Sequence, residues 1–148
     1  MQGKVLIMNI KIHYHAHITP LKKLPQGDWI DLRAAERVEL KAGEHRIISL
    51  GVSMELPEGY EAHLLPRSST FKNHGILLVN SCGIIDESYC GDNDIWRFNA
   101  YATRDTVIEF DERICQFRLV EKMESVTFEE VERLSGPDRG GFGSTGVK

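Results

Sequence analysis

Arg37-Val-Glu-Leu-Lys-Ala-Gly-Glu-His-Arg-Ile-Ile-Ser-Leu-Gly-Val-Ser-Met-Glu-Leu-Pro-Glu-Gly-Tyr-Glu-Ala-His-Leu-Leu-Pro66 is the stretch on which the fold turns. Four short extended runs lie within it: Arg37–Leu40, His45–Leu50, Val52–Leu56 and Tyr60–Leu65. Lys41-Ala-Gly-Glu44, Gly51 and Pro57-Glu-Gly59 separate them with turn-forming residues. Strands recurring this closely, with no helix between them, indicate an all-β sandwich or barrel.

The same texture continues on both sides. Upstream, Ile10, Ile12, Tyr14, Ala16 and Ile18 alternate with Asn9, Lys11, His13, His15 and His17, the period of a half-buried strand. Three alternating histidines could form a metal ladder. No carboxylate or cysteine accompanies them nearby in the sequence, so the expectation is a solvated polar face. Downstream, Ile76–Val79, Ile95–Ala102, Asp105–Phe110, Arg113–Val120 and Val126–Phe128 extend the β series. One place reads as helix: hydroxyls at Ser68, Ser69 and Thr70 precede Phe71–His74, and Gly75 stops it.

At 148 residues the chain is one domain with room for a core. A net charge of −4, with Lys and Arg scattered, argues against a nucleic-acid surface. No apolar run approaches the roughly 20 residues that span a bilayer. The first ten residues lack the pattern of a signal peptide. The three cysteines (Cys82, Cys90 and Cys115) contain no Cys-x-x-Cys pair, which disfavours a disulfide framework or zinc site. The expectation is a reduced, cytoplasmic protein.

Asn80-Ser-Cys-Gly-Ile-Ile-Asp-Glu-Ser-Tyr-Cys-Gly-Asp-Asn-Asp94 joins two apolar runs as a hairpin-like connection, yet it is rich in chemistry. It sets a carboxylate, Asp86, beside a ring, Tyr89, with Gly83 and Gly91 permitting close backbone approach. A carboxylate on a β frame can orient a water, and a ring can pack on a sugar. A polar turn with a structural Tyr is the plainer alternative. Asp31 lies amid apolar neighbours, where an ion pair to Arg33 or Arg37 would suffice. Arg67, Ser68 and Ser69 at a helix start suit an anion, although plain capping explains them too. Gln116 shares a strand face with Ile114, Arg118 and Val120, where a packed, hydrogen-bonded side chain is expected. From Ser135 to Lys148 the chain is Gly-rich and reads as a flexible tail. Its lone Phe142 could lie on a base, so a lid over ligand is a second reading.

Taken in order, five stretches resemble the trimeric dUTPases (deoxyuridine triphosphate nucleotidohydrolases). They are Gly27-Asp-Trp-Ile-Asp-Leu-Arg-Ala-Ala35, Pro66-Arg-Ser-Ser69, Gly83-Ile-Ile-Asp-Glu-Ser-Tyr-Cys-Gly91, Arg113-Ile-Cys-Gln116 and Arg139-Gly-Gly-Phe-Gly-Ser-Thr-Gly146. The Gly-Asp-Trp-Ile-Asp and Gly-Asp-Asn-Asp variants look most like forms from Gram-positive bacteria and their phages. The resemblance implies a distorted jelly-roll, β-clip subunit, with residues 1–134 as the β domain. It implies that residues 135–148 form an arm exchanged in a homotrimer, completing a neighbouring active site. The implied activity is that of a dUTP diphosphatase, hydrolysing dUTP to dUMP and pyrophosphate with Mg2+.

By position, the resemblance implies that Asp86 activates the attacking water and Tyr89 packs on the deoxyribose. Backbone groups between Asn80 and Ile85, Gly83 among them, with the Asn80 side chain, would read the uracil edge. Arg67, Ser68, Ser69 and Gln116 would contact phosphates and water. Asp31 would stand behind the magnesium through water, with no direct protein ligand. Phe142 would cap the uracil while Arg139, Gly143, Ser144 and Thr145 close over the outer phosphates. The fifth stretch departs from the family pattern, being two residues short between Arg139 and Phe142. Ser88 stands where a second Asp is usual, and Cys115 replaces an Ala. Ile95 occupies the place of an alternative capping aromatic. Two rivals share the fold: a dCTP deaminase, for which Glu87 would be the ring-side acid/base, and a non-catalytic, phage-encoded nucleotide-binding trimer.

Overall fold

The structure is a computed structural model that describes residues 7–143 and 145–148. Eleven strands and one short helix follow in order: β1 (Lys11–Tyr14), β2 (Ile30–Arg33), β3 (Val38–Leu40), β4 (His45–Ser49), β5 (Val52–Glu55), β6 (Tyr60–Pro66), α1 (Thr70–His74), β7 (Ile76–Leu78), β8 (Gly83–Ile85), β9 (Arg97–Ala102), β10 (Thr106–Ile108) and β11 (Arg113–Glu121). All strand pairs are antiparallel, in four small sheets ordered β1-β5, β10-β3, β2-β11-β6-β8 and β4-β9-β7.

The apolar residues of these strands meet in one core. Leu32, Ile48, Leu50, Val52, Leu64, Ile76, Trp96, Phe98 and Phe117 are all essentially removed from solvent. Trp96 packs edge-on against Phe117, ring centroids 5.0 Å apart. Its backbone bridges two segments, the N–H to Val52 O at 2.8 Å and the carbonyl from Leu50 N–H at 2.9 Å. Trp96→Ala is therefore expected to cost about 3–5 kcal/mol of unfolding free energy. Guanidinium denaturation measures this, and a loss below about 1 kcal/mol would show that Trp96 is not a core anchor.

Several sequence expectations about the strands change. The N-terminal strand is four residues, not ten, because among the described residues the ladder with β5 covers Lys11–Tyr14 and ends with a single bond from His15 N–H to Gly51 O at 2.8 Å. Val126–Phe128 forms no strand: Phe128 is 96% exposed and no described residue pairs with it. The connection from Ile76–Leu78 to Arg97–Ala102 does return antiparallel, with Leu77 opposite Tyr101. It is no simple turn, because β8 leaves it to pair with β6 in another sheet.

Helix α1 ends as expected on left-handed Gly75 (φ 64°), whose N–H bonds Phe71 O at 2.7 Å. Its start differs, since the Ser69 side chain makes no capping bond. At five residues the helix also has little dipole to offer an anion. The Thr70 hydroxyl does the local work, accepting the Arg67 N–H at 2.8 Å and donating to Ile114 O at 2.8 Å.

Candidate active site

Strand register brings the first, second and fourth motifs together. Asp31 on β2 stands opposite Gln116 on β11, which stands opposite Leu65 on β6. Arg67 follows directly after β6. Its Nε lies 3.0 Å from Asp31 Oδ1, and Arg113 Nη1 lies 3.3 Å from Asp31 Oδ2. The partners of Asp31 are thus not Arg33 and Arg37. Arg33 pairs with Asp111 at 3.7 Å, and Arg37 with Glu39 and Glu109. Cross-strand neighbours outcompeted sequence neighbours.

Gln116 Nε2 donates to Pro66 O at 3.1 Å, which fixes the amide beside the Pro66-Arg-Ser-Ser69 turn. Ser68 is exposed and Ser69 half-buried. The cluster is a cationic, donor-rich rim around one half-buried carboxylate. Arg113 and Thr70 belong to it as well, Arg113 through Asp31 and Thr70 through the Arg67 N–H.

The fourth-motif Cys115 is fully buried, and burial pushes its thiol well above the ordinary range. It is a small packed side chain, inert as a nucleophile.

The third motif forms a separate cluster. Ser81 adopts φ 61°, an uncommon conformation for a non-glycine residue, and turns the chain from Asn80 into β8. Sequence gave no sign of this. Gly83 and Gly91 have neighbours within the chain to accommodate. A Cβ at 83 would sit 3.2 Å from Leu64 Cβ, and one at 91 would sit 2.8 Å from Asp94 Oδ2. Among the described residues β8 pairs only with β6, so its outer edge leaves backbone donors and acceptors free.

Asp86 emerges at the end of β8, where Oδ2 accepts both the Ser88 hydroxyl and, at 2.8 Å, the Ser88 N–H. These two bonds, the hydroxyl first, hold the Asp86 carboxyl below its ordinary range. Ser88 thus supports the carboxylate without the like-charge repulsion a second Asp would bring. Ser88→Ala is expected to move the acid limb of the kcat/KM profile to higher pH, since Asp86 then protonates more readily. An unmoved limb would show that this hydroxyl does not tune Asp86.

Tyr89 is anchored by its hydroxyl, which donates to Ile95 O at 3.0 Å, while its N–H reaches Asp86 O at 3.0 Å. Asp86, Tyr89, Ile85 and Ile95 line a concavity of about 400 Å³. Glu87 faces elsewhere: Oε1 accepts the Gly59 N–H at 2.8 Å, and Oε2 pairs with Lys122 at 3.2 Å. These contacts, the Gly59 N–H foremost, lower its carboxyl from the ordinary value.

One chain does not unite the two clusters. Ile85 pairs with Ala62, whereas Gln116 pairs with Leu65, and Asp86 lies a further residue beyond. Four residues of strand rise and two strand spacings separate Asp86 from Gln116 by roughly 16 Å. The arm joins neither cluster. Arg139, Gly143 and Thr145 are exposed, and Phe142 is entirely so. Ser144 lies outside the described residues.

The family model for dUTPase matches residues 7–146, and the chain belongs to this family. It is 60% identical over 142 residues to the SPbeta prophage-derived deoxyuridine 5'-triphosphate nucleotidohydrolase YosS of Bacillus subtilis, covering 95% of this chain and 100% of that one. It is 41% identical over 126 residues to the deoxyuridine 5'-triphosphate nucleotidohydrolase of Clostridium acetobutylicum, covering 83% and 86%. Among solved structures, the Staphylococcus bacteriophage 80alpha dUTPase with dUPNHPP superposes with a TM-score of 0.76 at 23% identity, over 94% of this chain and 99% of that one. The dUTPase from Streptococcus mutans gives 0.69 at 24%, over 78% and 98%. The jelly-roll-related, all-β subunit expected from the motifs is the observed fold.

Proposed function

We infer that this chain hydrolyses dUTP to dUMP and pyrophosphate, supplying dUMP for thymidylate synthesis and keeping uracil out of DNA. The observation that carries the mechanism is the state of Asp86: ionised, exposed and oriented by Ser88 beside the ring of Tyr89. A water on Asp86 attacks the α-phosphorus and gives its proton to the carboxylate. The bond from that phosphorus to the bridging oxygen breaks, and pyrophosphate leaves. No covalent intermediate is required, so positioning and charge dispersal supply the rate.

The free edge of β8, with Asn80, suits the hydrogen-bonding edge of uracil. Tyr89, tied down through its hydroxyl, packs on the deoxyribose and excludes a 2′-hydroxyl. Arg67, Ser68, Ser69 and Gln116 bind phosphate oxygens and the water. For Mg2+, the half-buried carboxylate of Asp31 would hold a hydrated ion from outside its water shell, since Mg2+ gives up its waters reluctantly, and such an ion would supply neutralisation of the triphosphate charge. The dUTPase of phage phi11 is described with a structural Mg(II) ion.

The separation of the two clusters supports a homotrimer in which each site draws on several copies. Ile47, Leu77 and Tyr101 are 52%, 46% and 41% exposed on the outer face of β4-β9-β7, an apolar surface that a second copy would cover. Residues 135–148 then reach a neighbour's site, Phe142 capping the base and Arg139, Gly143, Ser144 and Thr145 closing on phosphates. Three free thiols fit a cytoplasmic setting. No helix among the described residues is long and apolar enough to cross a membrane.

A deaminase reading loses support because Glu87 is engaged by Gly59 and Lys122 and is held ionised, a poor proton donor. Incubation with Mg2+ and each of dUTP, dCTP, dTTP and UTP, with products resolved by chromatography, tests the reading. Turnover of dUTP alone supports it. Deoxyuridine products from dCTP would restore the deaminase, and no turnover of any would favour a binding trimer.

A further inference from the structure

The histidine ladder, read from sequence as a solvated face, acquires a carboxylate in three dimensions. His13 and His15 alternate on and just beyond β1, their ring centroids 4.1 Å apart. Ser53, buried on the neighbouring β5, holds the His15 ring through a 2.9 Å bond between its Oγ and Nε2. The third group comes from far along the chain. Asp92 lies in a turn locked by Asp94, whose Oδ2 accepts the Gly91 N–H at 2.8 Å and whose own N–H reaches Gly91 O at 3.0 Å. This turn delivers the Asp92 carboxylate onto His13 Nδ1. One donor atom from each of His13, His15 and Asp92 lies within 4.8 Å of the other two.

We propose that His13, His15 and Asp92 form a binding site for a divalent transition-metal ion of the zinc class, separate from the triphosphate site. Two imidazoles and a carboxylate are donors for Zn2+, Co2+ or Ni2+, whereas Mg2+ prefers oxygen ligands. Zinc at about 2.0–2.1 Å from each donor sets tetrahedral donors about 3.4 Å apart, so only small side-chain rotations are needed. The ion takes the place of the direct His13–Asp92 contact. Ser53 supplies the outer hydrogen bond that commonly orients a metal-bound imidazole. An adjoining cleft of about 260 Å³, also lined by Glu55 and Cys90, leaves room for water on the remaining positions. Lys11 is the cation of that cleft, and its charge is balanced by Glu55 at 3.7 Å. Because Asp92 follows closely after Tyr89, the ion would staple the N-terminal strand to the segment carrying the third motif.

Titration of the full chain with Co2+ in excess Mg2+ tests the site, read by visible absorption and calorimetry. The expected result is one Co2+ per chain with a ligand-field spectrum of nitrogen coordination. Zn2+ should displace it and raise the unfolding midpoint. His13→Gln and Asp92→Asn should each weaken binding at least about 100-fold and abolish the Zn2+-dependent midpoint shift. His13→Gln should leave Mg2+-supported dUTP hydrolysis unchanged, which separates this site from the catalytic one. Absence of stoichiometric Co2+ binding, or an unaltered spectrum and stoichiometry in a His13→Gln, His15→Gln double variant, would overturn the proposal.

Discussion

Asp86→Asn lowers kcat for dUTP by about 10²–10⁴-fold while leaving KM nearly unchanged. The substitution preserves size and leaves an oxygen to accept the Ser88 hydroxyl and N–H, so β8 and its turn stay in place. In the proposed mechanism, what disappears is the group that takes the proton from water as the phosphorus–oxygen bond forms. An interaction made only in the transition state shows in kcat, not in ground-state binding. Stopped-flow turnover and calorimetric binding of a non-hydrolysable analogue measure the two separately. Equal losses in both would mean that Asp86 binds substrate without acting on water.

Deletion of residues 135–148 is expected to lower kcat/KM by about 10²–10³-fold, the range for removing preorganised donors from a developing charge. The same deletion changes the unfolding midpoint little, because Phe142 and its neighbours contribute nothing to the core. Apolar side chains just upstream are exposed in the same way: Met123 at 77% and Leu134 at 84%. In the proposed trimer a second copy covers them. Phe142→Ala should reproduce part of the loss by removing the base cap alone. A deleted chain with full activity would dismiss the arm from catalysis.

Much of this was legible in the sequence because its signals are local. Turn residues between Arg37 and Pro66 announced a β domain, and four strands appear there within a residue or so of the expected ends. The helix and its glycine stop were equally plain, since φ > 0 at Gly75 is a property of one residue. Register was not legible. Asp31 meets Arg67 and Arg113 because β2, β11 and β6 lie side by side, and no spacing rule encodes that order. The same blindness hid Asp92 from the histidines of β1, 79 residues away. β8 is not legible because three residues with a glycine at the front carry no period. Val126–Phe128 misleads for the opposite reason: alternation resembles a strand whether or not a partner exists.

The central claim is that each active site is assembled from more than one copy. Co-refolding equal amounts of the Asp86→Asn chain and the chain lacking residues 135–148 addresses it directly. Each alone is expected to keep about 1% of native activity or less. If Asp86 and the arm of one site come from different chains, random mixing restores intact sites in about a quarter of positions. Recovery of about that fraction of native dUTP hydrolysis is the predicted result. No recovery from a mixture shown to contain hybrid trimers would mean that one chain supplies both elements, and the shared-site account would fall.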